Sequence, residues 1–118
     1  MSRYKLVVLT NAVEGRDEAF NDWYNNHHLA EVVAIPGFHA AQRFKLHRVT
    51  TGAFENRYLA IYDIDAEDPD AAWDALAGSA EAGKLWVSDT LDLNGVNCAV
   101  FEACSPEVLG PEKPDHSV

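Results

Sequence analysis

The chain has 118 residues, enough for one domain at roughly 100–200 residues per domain and too few for two. Hydrophobic residues at 47% and charged residues at 24% lie near the globular average and exclude a disordered, collagen-like or coiled-coil chain. Nineteen acidic residues against nine scattered basic ones give a formal charge of −10, which argues against nucleic acid and anionic membranes as partners, since both are bound by clustered Lys and Arg.

A β-branched-rich alternation from Tyr4 to Leu9 predicts the first strand, stopped by the turn-forming pair Thr10-Asn11. Its apolar run is too short for a secretory signal or a membrane span, so a cytoplasmic protein is expected. From Arg16 to Ile35 no Pro or Gly intervenes, and Phe20, Trp23, Tyr24, His27, Ala30 and Ala34 recur at three- and four-residue steps. This predicts the first and longer helix, ended by Pro36-Gly37. Phe38, Ala40, Gln42, Phe44 and Leu46 then alternate with His39, Ala41, Arg43, Lys45 and His47 as a second strand. A turn at Thr50-Thr51-Gly52 leads into a third, Arg57 to Ile64, with Tyr58, Ala60, Tyr62 and Ile64 on one side; the two form a hairpin. Asp68 before Pro69 is an N-cap with Pro at the first helical position. The second helix so begun carries Trp73, Leu76, Ala77 and Ala80 as its buried stripe and ends near Gly83. A looser segment with Trp86 and Asn94-Gly95 precedes the last strand, Val96 to Ala103. Cys98 and Cys104 are expected to be buried or inert thiols on one sheet face, about 20 Å apart along the strand and too far for a bridge.

The order β-α-β-β-α-β predicts an α+β, ferredoxin-like fold: a four-stranded antiparallel sheet with both helices on one face. Residues 1–104 make the domain, and 105–118, with Pro106, Pro111 and Pro114, a polar tail. The other sheet face, expected to carry Phe38 or His39 and its alternates, needs a cover. A second copy supplies it, which makes a homodimer, sheet against sheet, as a dimeric α/β barrel.

Chemistry concentrates on the first helix. At about 100° per residue, Tyr24, His28 and Glu31 fall within about 60° of one another, while His27 and Glu31 form an i,i+4 pair in the apolar stripe. A carboxylate and an imidazole among aromatics are costly to bury unless they pair or work, and a nearby carboxylate favours the protonated imidazole. The plainer alternative makes His27 a core or interface residue, Glu31 a surface acid paired with Arg43 or Lys45, and Trp23, Tyr24, Tyr62 and Trp86 core aromatics. His27 with Glu31, or His28 with Glu31, offers two metal ligands, with His39 or His47 as a third. No HExxH or comparable spacing occurs, and no metal or other cofactor is expected. No Gly-rich phosphate loop and no GxSxG is present.

The segment W-Y-N-N-H-H-L-A-E-V-V-A-I-P-G-F, with Pro-Gly eight residues after His28, resembles the first-helix signature of the EthD-like group in the dimeric α/β-barrel superfamily. R-Y-L-A-I-Y-D-I at Arg57 to Ile64 is similar to that group's third strand, and A-A-Q-R-F at Ala40 to Phe44 to its second. The resemblance covers most of residues 3–103. It implies a pocket between sheet and helices in each protomer, with His28 rather than His27 as the pocket residue. It implies relatives that are cofactor-independent monooxygenases, polyketide cyclases, dehydratases or lyases. Ala30 stands where relatives often have Pro, which implies a straighter helix.

The expectation is a small enzyme using His28 as general acid or base on an apolar or aromatic metabolite, of lyase, dehydratase, isomerase or cyclase type. Tyr24 and Glu31 orient or polarise, and Trp23, His27, Arg43, Tyr62 and Trp86 contact substrate. The alternatives are a cofactor-free monooxygenase and a non-catalytic binder of a hydrophobic small molecule.

Overall fold

A computed structural model describes residues 3–114. The alternating apolar strand Tyr4–Thr10 (β1) takes the centre of the sheet, because both its neighbours can then shield its ladder. The spatial order is β2-β3-β1-β4, with β2 Phe38–Lys45, β3 Tyr58–Ile64 and β4 Asn97–Glu102, every pair antiparallel. This is the α+β ferredoxin-like arrangement. Tyr58, Ala60, Tyr62 and Ile64 of β3 are all buried, on the face that meets the helices.

The first helix is one rod in three parts: α1 (Asp17–Trp23), a π-helical turn (Tyr24–His28) and α2 (Leu29–Val33). Asp17 and Glu18 open it, where acids suit the helix dipole. The wide turn inserts about one residue into the helical phase. A uniform helix would bury His27, Ala30 and Ala34; instead all three are exposed, and the stripe continues through His28, Val32 and Ile35. The single uninterrupted helical phase expected from Arg16 to Ile35 is corrected accordingly.

Gly37 ends this unit with φ +98°, and a Cβ there would come within 2.8 Å of the Ala72 Cβ. Only glycine lets the loop lie against the next helix. That helix, α3 (Pro69–Glu81), begins as expected: the Asp68 side chain accepts from the backbone N–H groups of Asp70 and Ala71. Its packing differs from expectation. Only Ala72 is fully buried; Trp73 and Leu76 are partly buried against the core, and with Ala77 and Ala80 they border a cavity.

A bulge between Phe38 and Ala40 reverses the phase of β2. Phe38 is buried and meets Tyr62 edge-on, and Ala41 and Arg43 share its face, opposite Tyr62 and Ala60. The strict alternation does not hold, so neither expected alternative describes the open face: Phe38 is on the helix side, and so are Ala41 and Arg43, the alternates of His39. That face carries Val7, Leu9, Phe44, Leu59, Ile61 and Phe101.

Cys98 and Cys104 are free and both residues are exposed, although Cys98 also lines an inner cavity that partly shields its thiol. Cys104 lies beyond the end of β4, so the two do not share one continuous strand. No described helix is long and apolar enough to cross a membrane.

Candidate functional site

Between the sheet, the π-helical turn, α3 and the strap Leu85–Val96 lies a cavity of about 310 Å³. Its wall is apolar, built by residues such as Leu6, Val8, Val32, Leu76 and Leu91, and no Asp, Glu, Lys or Arg lines it. Residues that carry polar groups are also part of that wall: His28, Tyr24, Tyr62, Thr10, Trp23 and Cys98.

These polar groups are ordered by the π-helical turn. Tyr24 opens it and His28 closes it, so both side chains reach the same wall. The His28 ring stacks on Trp23 at 4.7 Å between centroids and meets Tyr24 edge-on at 4.9 Å. The Tyr24 and Tyr62 hydroxyls hydrogen-bond at 3.0 Å. Within a bonded phenol pair, one hydroxyl keeps its proton free to donate onward.

Burial pushes the His28 imidazole below its usual 6.5, partly offset by the attraction of Glu31 and reinforced by repulsion from Arg43. His28 is therefore neutral at physiological pH, with one ring nitrogen able to accept a proton. Its Nδ1 is buried without a hydrogen-bond partner, and so is Glu31 Oε1, three residues along the helix. Burial raises the Tyr24 phenol, while the Tyr62 hydrogen bond and the Arg43 charge pull it back. Tyr62 is raised as well, by burial first and then by Tyr24. Burial also pushes the Cys98 thiol up, which keeps it protonated and weakly nucleophilic.

Four of the sequence-derived candidates, Trp23, Tyr24, His28 and Tyr62, meet at the cavity. The other four do not line it. Glu31 pairs with neither Arg43 nor Lys45; its Oε2 accepts the Trp86 backbone N–H at 3.2 Å. The Trp23 indole N–H donates to the Trp86 carbonyl at 2.9 Å, and the exposed His27 packs edge-on against the Trp86 ring at 4.8 Å. Trp23, His27 and Glu31 thus grip one residue of the strap. Arg43 lies behind Tyr24, its guanidinium 4.3 Å from the ring centroid. In sequence the strap shows only as a loose segment, although its apolar residues Leu85, Val87, Leu91, Leu93 and Val96 all contribute to the wall. Among the described residues no cluster of His, Cys, Asp and Glu is arranged to hold a metal ion.

No protein-family model matches the chain, and no curated protein matches it by sequence. Solved structures do. The fold is similar to that of a "putative monooxygenase" from Shewanella loihica PV-4, with a TM-score of 0.59 and 14% identity over 90% of this chain and 99% of that one. It is similar to MhuD, a heme-degrader from Mycobacterium tuberculosis with two hemes bound in its active site, with a TM-score of 0.60 and 19% identity over 89% and 99%. An EthD family protein from Bacillus halodurans C-125 aligns with a TM-score of 0.53 and 20% identity over 87% and 99%. At these identities the likeness speaks for architecture, and the chain has the fold of the dimeric α/β-barrel superfamily.

Proposed function

We propose that the chain is a small acid/base enzyme acting on a small apolar or aromatic metabolite. The observation that carries this reading is the neutral His28 imidazole beside the paired Tyr24 and Tyr62 hydroxyls, on the wall of an otherwise apolar cavity. A substrate carbonyl oxygen would accept from the free phenol proton. The adjacent C–H would give its proton to His28, the C–H electron pair would form a C=C bond, and the carbonyl π pair would move onto oxygen as an enolate. Glu31, near the imidazolium so formed, would stabilise its charge. Where the substrate is a β,γ-unsaturated ketone, the anion is a dienolate, and returning the proton to its γ-carbon, with the C=C shifting to the α,β position and the carbonyl re-forming, completes an isomerisation. Expelling a β-hydroxyl, which leaves as water with that proton, completes a dehydration. Among the described residues the apolar wall offers no Lys or Arg to pair with heme propionates, which favours a smaller ligand without carboxylates over the heme that MhuD binds.

The test needs no knowledge of the natural substrate. Aryl ketones in D₂O exchange their α-protons when a base removes them, and proton NMR follows the loss. The protein should accelerate exchange, His28→Gln should lower that rate by about 10²–10⁴-fold, and His27→Gln should leave it near wild type. Loss in the His27 variant with retention in the His28 variant would reverse the assignment. A second reading, cofactor-free monooxygenation, draws on the Shewanella neighbour's name. The same substrate anion would then react with O₂, and oxygen consumption coupled to substrate loss would identify it.

We further propose a homodimer closed through the apolar open face of the sheet. The two unpaired thiols suit a reducing cytoplasm.

A further inference from the structure

Arg43 is half-buried and makes no ion pair among the described residues, in a chain where acids outnumber bases two to one. Its guanidinium donates to the side-chain oxygens of Asn25 at 2.8 Å and Asn21 at 2.9 Å, and its Nε is buried without an acceptor. Three rings surround it: Tyr24 at 4.3 Å, and Phe20 and Tyr58 each at 5.3 Å. The nearby charges are otherwise committed. Asp17 takes the Tyr58 hydroxyl at 2.6 Å and Arg57 at 3.0 Å, and Glu31 holds the strap. A desolvated cation with only neutral oxygens and ring faces around it is costly, and no stabilising ion pair accounts for its retention.

We propose that Arg43 is a positioning residue acting through Tyr24, which turns the Tyr24–Tyr62 hydroxyl pair into an oxyanion site and gives the cavity a preference for weakly acidic hydroxyaromatic ligands bound as the anion. This rests on the proposed function in placing the ligand's oxygen at the phenol pair. The cation lies on the face of the Tyr24 ring, while the hydroxyl at the ring's far end meets Tyr62 at the cavity. A positive charge on the ring face withdraws electron density and strengthens the hydroxyl as a donor. Burial raises both phenols, and the Arg43 charge pulls each back toward ionisation. A phenolate or enolate oxygen accepting from the pair therefore feels a cation that a neutral ligand of the same shape does not need. Because Arg43 does not line the cavity that holds His28 and faces a separate surface cleft with Asn21, Asn25 and Tyr58, it confers this selectivity without occupying the site.

The probe is a series of para-substituted phenols of graded acidity, 4-nitrophenol included, whose bound anion is visible in its absorption spectrum. Dissociation constants are measured for the wild type, Arg43→Met, Arg43→Lys and Asn25→Asp. The Arg43→Met variant removes the charge and keeps bulk. The Asn25→Asp variant leaves Arg43 in place and neutralises it from the exposed helix surface, so a poorly folded Arg43→Met variant does not end the test. In the wild type, affinity should rise steeply with phenol acidity and the nitrophenolate band should appear at a pH where free nitrophenol is largely neutral. The Arg43→Met and Asn25→Asp variants should flatten that dependence and lower affinity for the most acidic phenols by roughly tenfold; Arg43→Lys should keep most of it. Equal slopes in the wild type, Arg43→Met and Asn25→Asp would overturn the role of Arg43 and leave the His28 chemistry standing. Ketone exchange without any phenol binding would overturn the ligand class, again leaving His28 in place. Failure of both assays would remove the proposed function itself.

Discussion

At the scale of single residues, His28 carries the clearest pH signature. In the unfolded chain it titrates near the ordinary 6.5, and in the fold burial holds it lower, so between the two values the unfolded state binds more protons. The stability that the neutral ring confers is present above about 6.5 and is lost as pH falls toward the folded-state value. Urea midpoints followed from about pH 7.5 down to about pH 5 should therefore fall further for the wild type than for His28→Gln. The sign carries over to catalysis: as a base, His28 gives a rate that is flat above its pKa and declines on the acid side. A rate that increases with acidity would instead make the protonated ring the working form. The residues behind this prediction are partly legible in sequence. Tyr24 and His28 stand out as polar groups on an otherwise aromatic helix face, and Tyr62 as one of four alternating positions on β3. The position of Arg43 is not legible, because it depends on a bulge a few residues earlier in the chain that no local pattern announces.

At the scale of elements, two one-residue insertions account for most of the difference between expectation and structure. The π-helical turn replaces His27, Ala30 and Ala34 with His28, Val32 and Ile35 on the inner face, and the bulge in β2 moves Arg43 to the helix side and Phe44 to the open side. Periodicity reasoning assumes a constant phase, and each insertion costs it about one residue. Elements ended by Pro, Gly or an Asp cap can be located from sequence, since those signals are local. The strap is harder to read, because its order comes from distant partners: Trp23 and Glu31 at Trp86, Val13 to the Thr90 carbonyl, and Asp92 to the Asn11 carbonyl. Its grip on the first helix is short of contacts, so one of them matters. Glu31→Ala removes the acceptor of the Trp86 N–H, a charge-assisted bond at a partly exposed site worth roughly 1–2 kcal/mol. Amide hydrogen exchange around residues 85–90 should quicken by about tenfold while β1 and β3 keep wild-type protection. Unchanged exchange in the strap would mean that its hydrophobic contacts with the cavity wall hold it without Glu31.

At the scale of the whole molecule, one chain leaves its own architecture unfinished. The radius of gyration is 16.3 Å, against about 13–14 Å for a compact domain of this length, and residues 46–54 and 103–114 are exposed throughout. Those exposed segments carry Phe54, Val108 and Leu109 at 60%, 85% and 80% exposure, and the open face of the sheet adds Phe44 and Phe101 to the uncovered apolar surface. With a formal charge of −10 on each copy, association has to be driven by apolar contact, because long-range repulsion opposes it. Light scattering should thus give twice the 13.0 kDa chain mass, and added salt, by screening the repulsion, should tighten the dimer. Phe101→Glu separates a folding defect from an interface defect. Phe101 is directly opposite Lys5 on the open face, so in a lone chain the new carboxylate gains a cross-strand cation and costs the fold little. In the dimer the same carboxylate would be buried against a second sheet, where the desolvation penalty exceeds what one shared lysine returns, Lys5 already being paired with Asp63. The variant should therefore scatter as a monomer with a thermal midpoint that no longer depends on protein concentration. A Phe101→Glu protein that remains dimeric would place the contact elsewhere, on the exposed segments instead of the sheet.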